Sequence, residues 1–334
     1  MKKTGLNLLM GGLIIAAVGG GFYYYQHNLS PAAHPTLINS TSFNKTSVPA
    51  GHPLQSTADV LLKDAIHTLG SSKQFSDFIK TNQLLQQYFK QLPLAQRYEI
   101  MENFLKAVNQ HILLVDSEKG ALTGHNDFLL DVTPEEYEPH LLAKRLLTVL
   151  PPEQKIWFSQ AINYDFDILD IGEGFYVIRL NPDYLVKHFS AALPQADQVF
   201  MTAIAQQNQQ QFYYDATIDI AWQELGERAV FWENYTQQYP HAYFLKDAKA
   251  LANYYLYYFI HGMGNSMTVE SFNEQDNKPV IESEAKQAFE WIKNKYPNSN
   301  VSQKIKLLEN SMVIDKRIIE LVEPTKRSTL MGQL

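Results

Sequence analysis

From residue 54 onward the apolar positions recur at helical spacing. Leu54 to Leu69 carries Val60, Leu61, Ala65, Ile66 and Leu69 on one stripe. Phe75 to Leu92 carries Phe78, Ile79, Leu84, Leu85, Tyr88 and Phe89, and Pro93 ends it. Leu94 to Val115 places Ile100, Phe104, Leu105 and Val108 in phase. Thr133-Pro134-Glu135-Glu136 opens another helix, reaching Leu150. It supplies a capping hydroxyl, a proline preset for the first turn and acids at the positive end of the dipole. Pro151-Pro152-Glu153 opens the next, which runs to Tyr164. The period then changes. Ile168, Ile171, Phe175, Val177 and Ile178 flank Gly172-Glu173-Gly174, which predicts a β-hairpin over 166–180. Asn181-Pro182-Asp183 restarts helix, followed by helices at Ala196–Phe212, Ala216–Gln238, Tyr243–His261, Glu282–Lys295 and Val301–Val322, the last stopping before Pro324. The predicted class is mainly α, with one short β-hairpin.

The N-terminus follows a different rule. Lys2 and Lys3 precede an apolar run from Leu6 to Tyr25, and no Lys, Arg, Asp or Glu follows until Lys45. Twenty helical residues span roughly 30 Å, the thickness of a bilayer core. The charge asymmetry predicts a cytoplasmic N-terminus with the bulk of the chain extracytoplasmic, in the periplasm of a two-membrane cell. Tyr23, Tyr24 and Tyr25 suit the far interface. The segment is read as a signal anchor in the inner membrane or as a cleaved signal peptide, cut after the small residues at Ala17 to Gly19 or after Ala33. Its length favours retention. Residues 27–53 hold Pro31, Pro35, Pro49 and Pro53 among Ser, Thr, Asn and Ala, the composition of a flexible tether. The organisation is thus a membrane segment over 1–26 with the membrane contacted through residues 5–25, a tether over 27–53, a helical part over 54–165, a hairpin plus helices over 166–322, and a tail over 323–334.

Composition narrows the chemistry. The 334 residues contain no cysteine, which removes disulfides, thiolate nucleophiles, Cys-bound metals and a lipidated N-terminal cysteine. Net charge is −7 with both signs mixed and no basic stripe, so nucleic acid is not an expected partner. The 19 tyrosines and 18 phenylalanines exceed what a plain helical bundle needs and call for an explanation in packing or binding.

Two segments echo each other. Phe231-Trp232-Glu233-Asn234-Tyr235-Thr236-Gln237-Gln238-Tyr239-Pro240 and Ala288-Phe289-Glu290-Trp291-Ile292-Lys293-Asn294-Lys295-Tyr296-Pro297 are both aromatic helices that stop at Tyr-Pro, and each is followed by another helix. This pattern resembles the tetratricopeptide-type repeats of bacterial envelope proteins, including those of the outer-membrane assembly and cell-division accessory classes. The resemblance covers 216–322 and implies stacked helical hairpins that bind other proteins. The Tyr-Pro pairs lie 57 residues apart, against about 34 in the standard repeat, so Gly262 to Ile281 is expected as an insertion. Gly172-Glu173-Gly174-Phe175-Tyr176, Asp215-Ala216, Glu227-Arg228 and Phe231-Trp232-Glu233 are also similar to stretches of uncharacterised bacterial helical proteins, a likeness to which no activity attaches.

Candidate chemistry is weighed against ordinary structure. Asp165, Asp167, Asp170 and Glu173 offer hard oxygen ligands, but Leu169 and Asp170 break the calcium-loop pattern, and a solvated hairpin rim is the simpler reading. Asp215, Asp219, Glu224 and Glu227 are expected around one helix, where paired carboxylates suit glycosidic acid–base work and Arg228 suits a plain counter-charge. The histidines are scattered, without metal-ligand spacing. No nucleophile elbow, phosphate loop or dinucleotide fingerprint occurs, and no catalytic residue, metal or cofactor is assigned. Tyr254-Tyr255-Leu256-Tyr257-Tyr258-Phe259 belongs to a core helix or to a binding face. The expected function is a non-catalytic scaffold or adaptor, anchored in the membrane and binding another envelope protein through Tyr235, Tyr239, Tyr254 and Tyr258. The alternatives are a cell-wall glycan-acting enzyme and a glycan- or peptide-binding sensor.

Overall fold

The computed structural model describes residues 53–116, 123–125, 139–172, 175–210, 212–214 and 216–310. The apolar N-terminal segment, all but the last residue of the expected tether, the helix start at Thr133 and everything after Asn310 lie outside the described residues. No helix among the described residues is long and apolar enough to cross a membrane.

The chain is mainly α-helical. Helices α1 (Pro53–Ser71), α2 (Phe75–Tyr88) and α3 (Leu94–Asp116) pack on one another. Helix α2 ends in a 3-10 turn, Phe89–Gln91, because Pro93 has no N–H with which to continue. Helices α4 (Pro139–Val149) and α5 (Pro152–Ala161) follow. Pro152 stands at the first position of α5, where its missing donor costs nothing.

Strands β2 (Phe166–Gly172) and β3 (Phe175–Leu180) form the expected hairpin, with a register shift between Asp170 and Gly172. A third strand, β1 (Thr123–His125), pairs antiparallel with β3, giving the sheet order β1-β3-β2. Helices α6 (Asp183–His188) and α7 (Gln195–Asn208) lead into the C-terminal part.

Two expected helix ends move. The helix expected to reach Phe212 stops at Asn208, and the one expected from Ala216 starts at Trp222. Between them β4 (Tyr213–Tyr214) and β5 (Thr217–Ile218) pair antiparallel, and Ala216 takes φ 55°, a left-handed conformation that helical periodicity cannot announce. Helices α8 (Trp222–Gln238) and α9 (Leu245–His261) then form a hairpin. The insertion is built of two small ribbons, β6 (Gly262–Met263) with β7 (Ser266–Met267), and β8 (Val269–Phe272) with β9 (Pro279–Ile281). Gly262 adopts φ 72°, and a Cβ there would lie 2.2 Å from the Ser266 carbonyl oxygen, so only glycine turns this corner. Helices α10 (Ser283–Lys295) and α11 (Asn300–Glu309) complete the described chain.

One apolar core runs from Ala58 to Leu308 and absorbs most of the aromatic surplus. Phe78 meets Phe166 at 5.0 Å, Phe104 meets Tyr184 at 5.6 Å and Phe89 meets Phe189 at 4.9 Å, joining α2 and α3 to the sheet and to α6. Phe200 stacks on Phe244 at 4.7 Å and edges Trp232 at 5.2 Å, joining α7 to the α8–α9 hairpin. Edge-to-face and offset pairs of this kind add roughly 0.5–1.5 kcal/mol each beyond area burial.

Candidate functional site

The echoing segments fold alike. Trp232 and Phe289 are matched in the two segments and both point into the core, as do Tyr235 and Ile292. Tyr239 closes α8 at φ −123°, ψ 60°, and Tyr296 closes α10 at φ −130°, ψ 57°. Each tyrosine N–H donates to a carbonyl one turn back, Tyr235 O and Ile292 O respectively, before the following proline forbids continuation.

These helices form a layer. Gly226 of α8 lies against Phe259 of α9 and Ile292 of α10, and the Arg228 guanidinium sits 5.9 Å from the Tyr255 ring centroid. The Glu233 carboxylate accepts from the Asn300 and Val301 N–H groups at 2.8 and 3.3 Å, so α8 caps the positive end of α11. Ser299 completes that cap, its hydroxyl accepting from the Ser302 N–H.

On the outer edge of α8 and α10, two large rings are left open to solvent: Phe231, 36% exposed, and Trp291, 43% exposed. The Trp291 indole N–H donates to Glu227 Oε1 at 3.0 Å, and Lys295 Nζ donates to the same oxygen at 2.9 Å. Glu227 precedes Phe231 by one helical turn, so Phe231 lies on the same face of α8 as the carboxylate that holds Trp291. The Lys295 ammonium lies 5.2 Å from the ring centroids of Trp291 and Tyr296. Burial pushes the Glu227 carboxyl up, but the bonds from Lys295 and Trp291 outweigh it and hold the group below the ordinary value. Glu227 is therefore a fixed anion at neutral pH, suited to orienting Trp291 rather than to moving protons.

The four tyrosines expected on one binding face fall in two pairs. Tyr235 is only 2% exposed, its hydroxyl donating to the Ala196 carbonyl at 3.1 Å and its ring lying 5.9 Å from Phe200. Tyr239 is half-buried beside it, with ring centroids 5.0 Å apart. Tyr254 and Tyr258 are also half-buried but surround Phe212, at 5.3 and 5.6 Å. Because α9 runs antiparallel to α8, the first pair stands near the inter-helix turn and the second near the opposite end. Helical periodicity marked which residues are aromatic-rich, not which side of the layer faces solvent. The Phe231–Trp291 strip was missed for that reason; its only sequence signal is two large apolar residues out of phase with their neighbours.

The carboxylate candidates are occupied structurally. Asp167 accepts from Arg179 Nε at 3.0 Å and from Asn181 Nδ2 at 2.7 Å, both acid and base being buried, and Arg179 also reaches Asn208 Oδ1 at 2.9 Å. Asp165 takes the left-handed region at φ 61° and pairs with Lys187. Glu173 and Asp215 lie outside the described residues, and the side chain of Asp170 is not described. Asp219 precedes α8 instead of sharing a helical face with Asp215, since the turn at Ala216 intervenes. Glu224 pairs with buried Arg228, whose other donors reach the Gln207 and Gln210 carbonyls. Among the described residues no three His, Asp or Glu gather as metal ligands.

Of the histidines, His111 is fully buried. Its Nδ1 lies 2.6 Å from the Ser72 carbonyl, and its Nε2 accepts from the Trp157 indole at 2.9 Å. That arrangement fixes the Nδ1–H tautomer, and burial lowers its pKa below the ordinary value. His188 packs on Tyr184 at 4.1 Å, and burial lowers it too.

A second polar cluster joins distant parts of the chain. Tyr98 of α3 and Tyr243 of the α8–α9 turn stack with ring centroids 3.7 Å apart and planes 4° apart. The Tyr98 hydroxyl donates to Asp197 of α7, and the Tyr243 hydroxyl donates to Glu102 of α3 at 2.8 Å. Burial, with Glu102 alongside, pushes Tyr243 up to about 12. No local pattern could have found this cluster, because its members are separated by up to 145 residues.

No family model, curated protein or solved structure matches this chain.

Proposed function

We propose that this chain is a membrane-anchored extracytoplasmic adaptor whose C-terminal helical layer binds another envelope protein, without catalysis. The observation that carries the reading is the solvent-open pair Phe231 and Trp291, set on adjacent helices and framed by Glu227 and Lys295. Large rings within a charged frame are what protein interfaces use as anchors, since they bury wide apolar area at low entropy cost. The likeness of the two Tyr-Pro helix ends supports a repeat-like layer of the tetratricopeptide type. The apolar segment over 5–25 and the proline-rich tether behind it support an anchor that lets this layer stand off the inner membrane.

The test is in-cell crosslinking at the strip, followed by recovery of the wild-type chain and of a Phe231→Ser, Trp291→Ser double variant. A specific partner is expected with the wild type and should fall at least tenfold with the variant, because each lost anchor removes about 2 kcal/mol or more. Equal recovery, with helicity unchanged by circular dichroism, refutes the assignment of this face.

A glycan or peptide sensor is the second reading, favoured by Tyr254, Tyr257 and Tyr258 grouped near Phe212 and His261. A thermal shift with cell-wall fragments that disappears in Tyr257→Ala would move the assignment to that end of the layer.

A further inference from the structure

The α3–α7–α9 junction concentrates acids and phenols. Asp197 is 1% exposed and Asp247 is 8% exposed. Each stands in the first turn of its helix, α7 and α9. The groups facing them come from every element of the junction: Tyr98 and Glu102 from α3, Tyr235 from α8, Tyr243 from the turn, and Lys246 from α9 itself. Lys246 is the sole cation in that set and is exposed. Asp197 is held by the Tyr98 hydroxyl and by backbone N–H groups of the turn, Asp247 lies within electrostatic reach of Glu102, and the set holds no buried cation.

We propose that this junction is an acid-tightened latch: protonation of Asp247 and Asp197 seats the α8–α9 turn on α3, and their ionisation loosens it. Where burial outweighs the bonds a carboxylate accepts, its ionised form favours the open state, in which water solvates it. Burial, with Glu102 adding repulsion, pushes the Asp247 carboxyl up to about 6, and burial also raises Asp197 against the bonds it accepts. The sign follows directly. Acids whose folded pKa is raised contribute most when protonated, and that contribution declines as pH climbs from the unfolded value toward the folded one. The latch therefore tightens in mildly acidic surroundings and relaxes near neutrality. Opening it frees the turn that joins the two helices of the proposed binding layer.

Hydrogen exchange of the full chain in detergent, corrected for intrinsic rates and read in peptides over 95–105 and 239–250, tests this. Protection there should be about tenfold greater near pH 5 than near pH 7.5, as expected for a carboxyl shifted to about 6 in the closed form. Asp247→Asn should lose at least half of that pH response while remaining protected near neutrality. Glu102→Gln, which keeps the hydrogen-bonding shape and removes a neighbouring charge, should move the midpoint to lower pH. A wild type with no pH response in these peptides overturns the latch. So does an Asp247→Asn chain with the full response or, if that chain does not fold, an unmoved midpoint in Glu102→Gln.

Discussion

Glycine in the middle of a long helix is normally a weakness, and replacing it with alanine gains about 1 kcal/mol. Gly226 of α8 should behave oppositely. A Cβ placed there would meet Phe259 Cζ at 2.6 Å, Phe259 Cε2 at 2.9 Å and Ile292 Cγ1 at 2.9 Å. All three distances are below any real carbon contact, and both neighbours are fully buried, so neither ring nor branch can swing into solvent. Forcing a methyl against three such contacts at once costs about 2–3 kcal/mol, the upper part of the range for overpacking. Set against the propensity gain, Gly226→Ala should lose about 1–2 kcal/mol. Urea denaturation followed by far-ultraviolet circular dichroism reads the loss as a lower midpoint at unchanged slope. Phe259→Leu, which removes the Cζ atom, should make the alanine cheaper, giving a coupling of about 1 kcal/mol in the double-mutant cycle. A Gly226→Ala chain as stable as the wild type, or an equal cost in both backgrounds, refutes the claim that α8, α9 and α10 pack too closely at this residue to admit a Cβ.

Two further outcomes follow from buried polar groups. His111 is held neutral in the fold, below its unfolded value of about 6.5, so its contribution to stability is complete above that pH and is lost as pH falls below it; His111→Gln, which can still donate to Ser72 and accept from Trp157, should remove this acid sensitivity in denaturation midpoints, with exchange over 105–116 reporting it locally and opposite in sign to the latch. Arg179→Ala strands the buried Asp167 carboxylate with only Asn181 beside it and should cost about 3–5 kcal/mol, whereas replacing both partners with Arg179→Met and Asp167→Leu should cost far less in the same denaturation assay.

The sequence was most readable where one local rule acts alone. Pro93, Pro152, Pro240 and Pro297 placed helix boundaries to within a few residues, because a proline cannot donate an N–H whatever surrounds it. The Gly172-Glu173-Gly174 hairpin was legible from its change of period. Where the backbone leaves the helix without proline, as at Ala216, the apolar spacing still looked helical and misplaced the start of α8 by six residues. That error carried Asp219 onto a face it does not occupy. Strand β1 was unreadable because its three residues acquire meaning only from β3, with partners Thr123–Val177 and His125–Phe175.

The amino-acid sequence by itself determined the helical class, the helix stops, the β-hairpin and the absence of thiol chemistry, since each rests on backbone donors, periodicity or composition. The tertiary structure alone decided which aromatics face inward. Phe231 and Ala288 hold matched positions in the two echoing segments, yet Phe231 is 36% exposed and Ala288 3%, because the elements packed against the two helices differ. It also brought Tyr98, Asp197 and Tyr243 together, since contact between residues a hundred positions apart is fixed by packing the whole core and by nothing local.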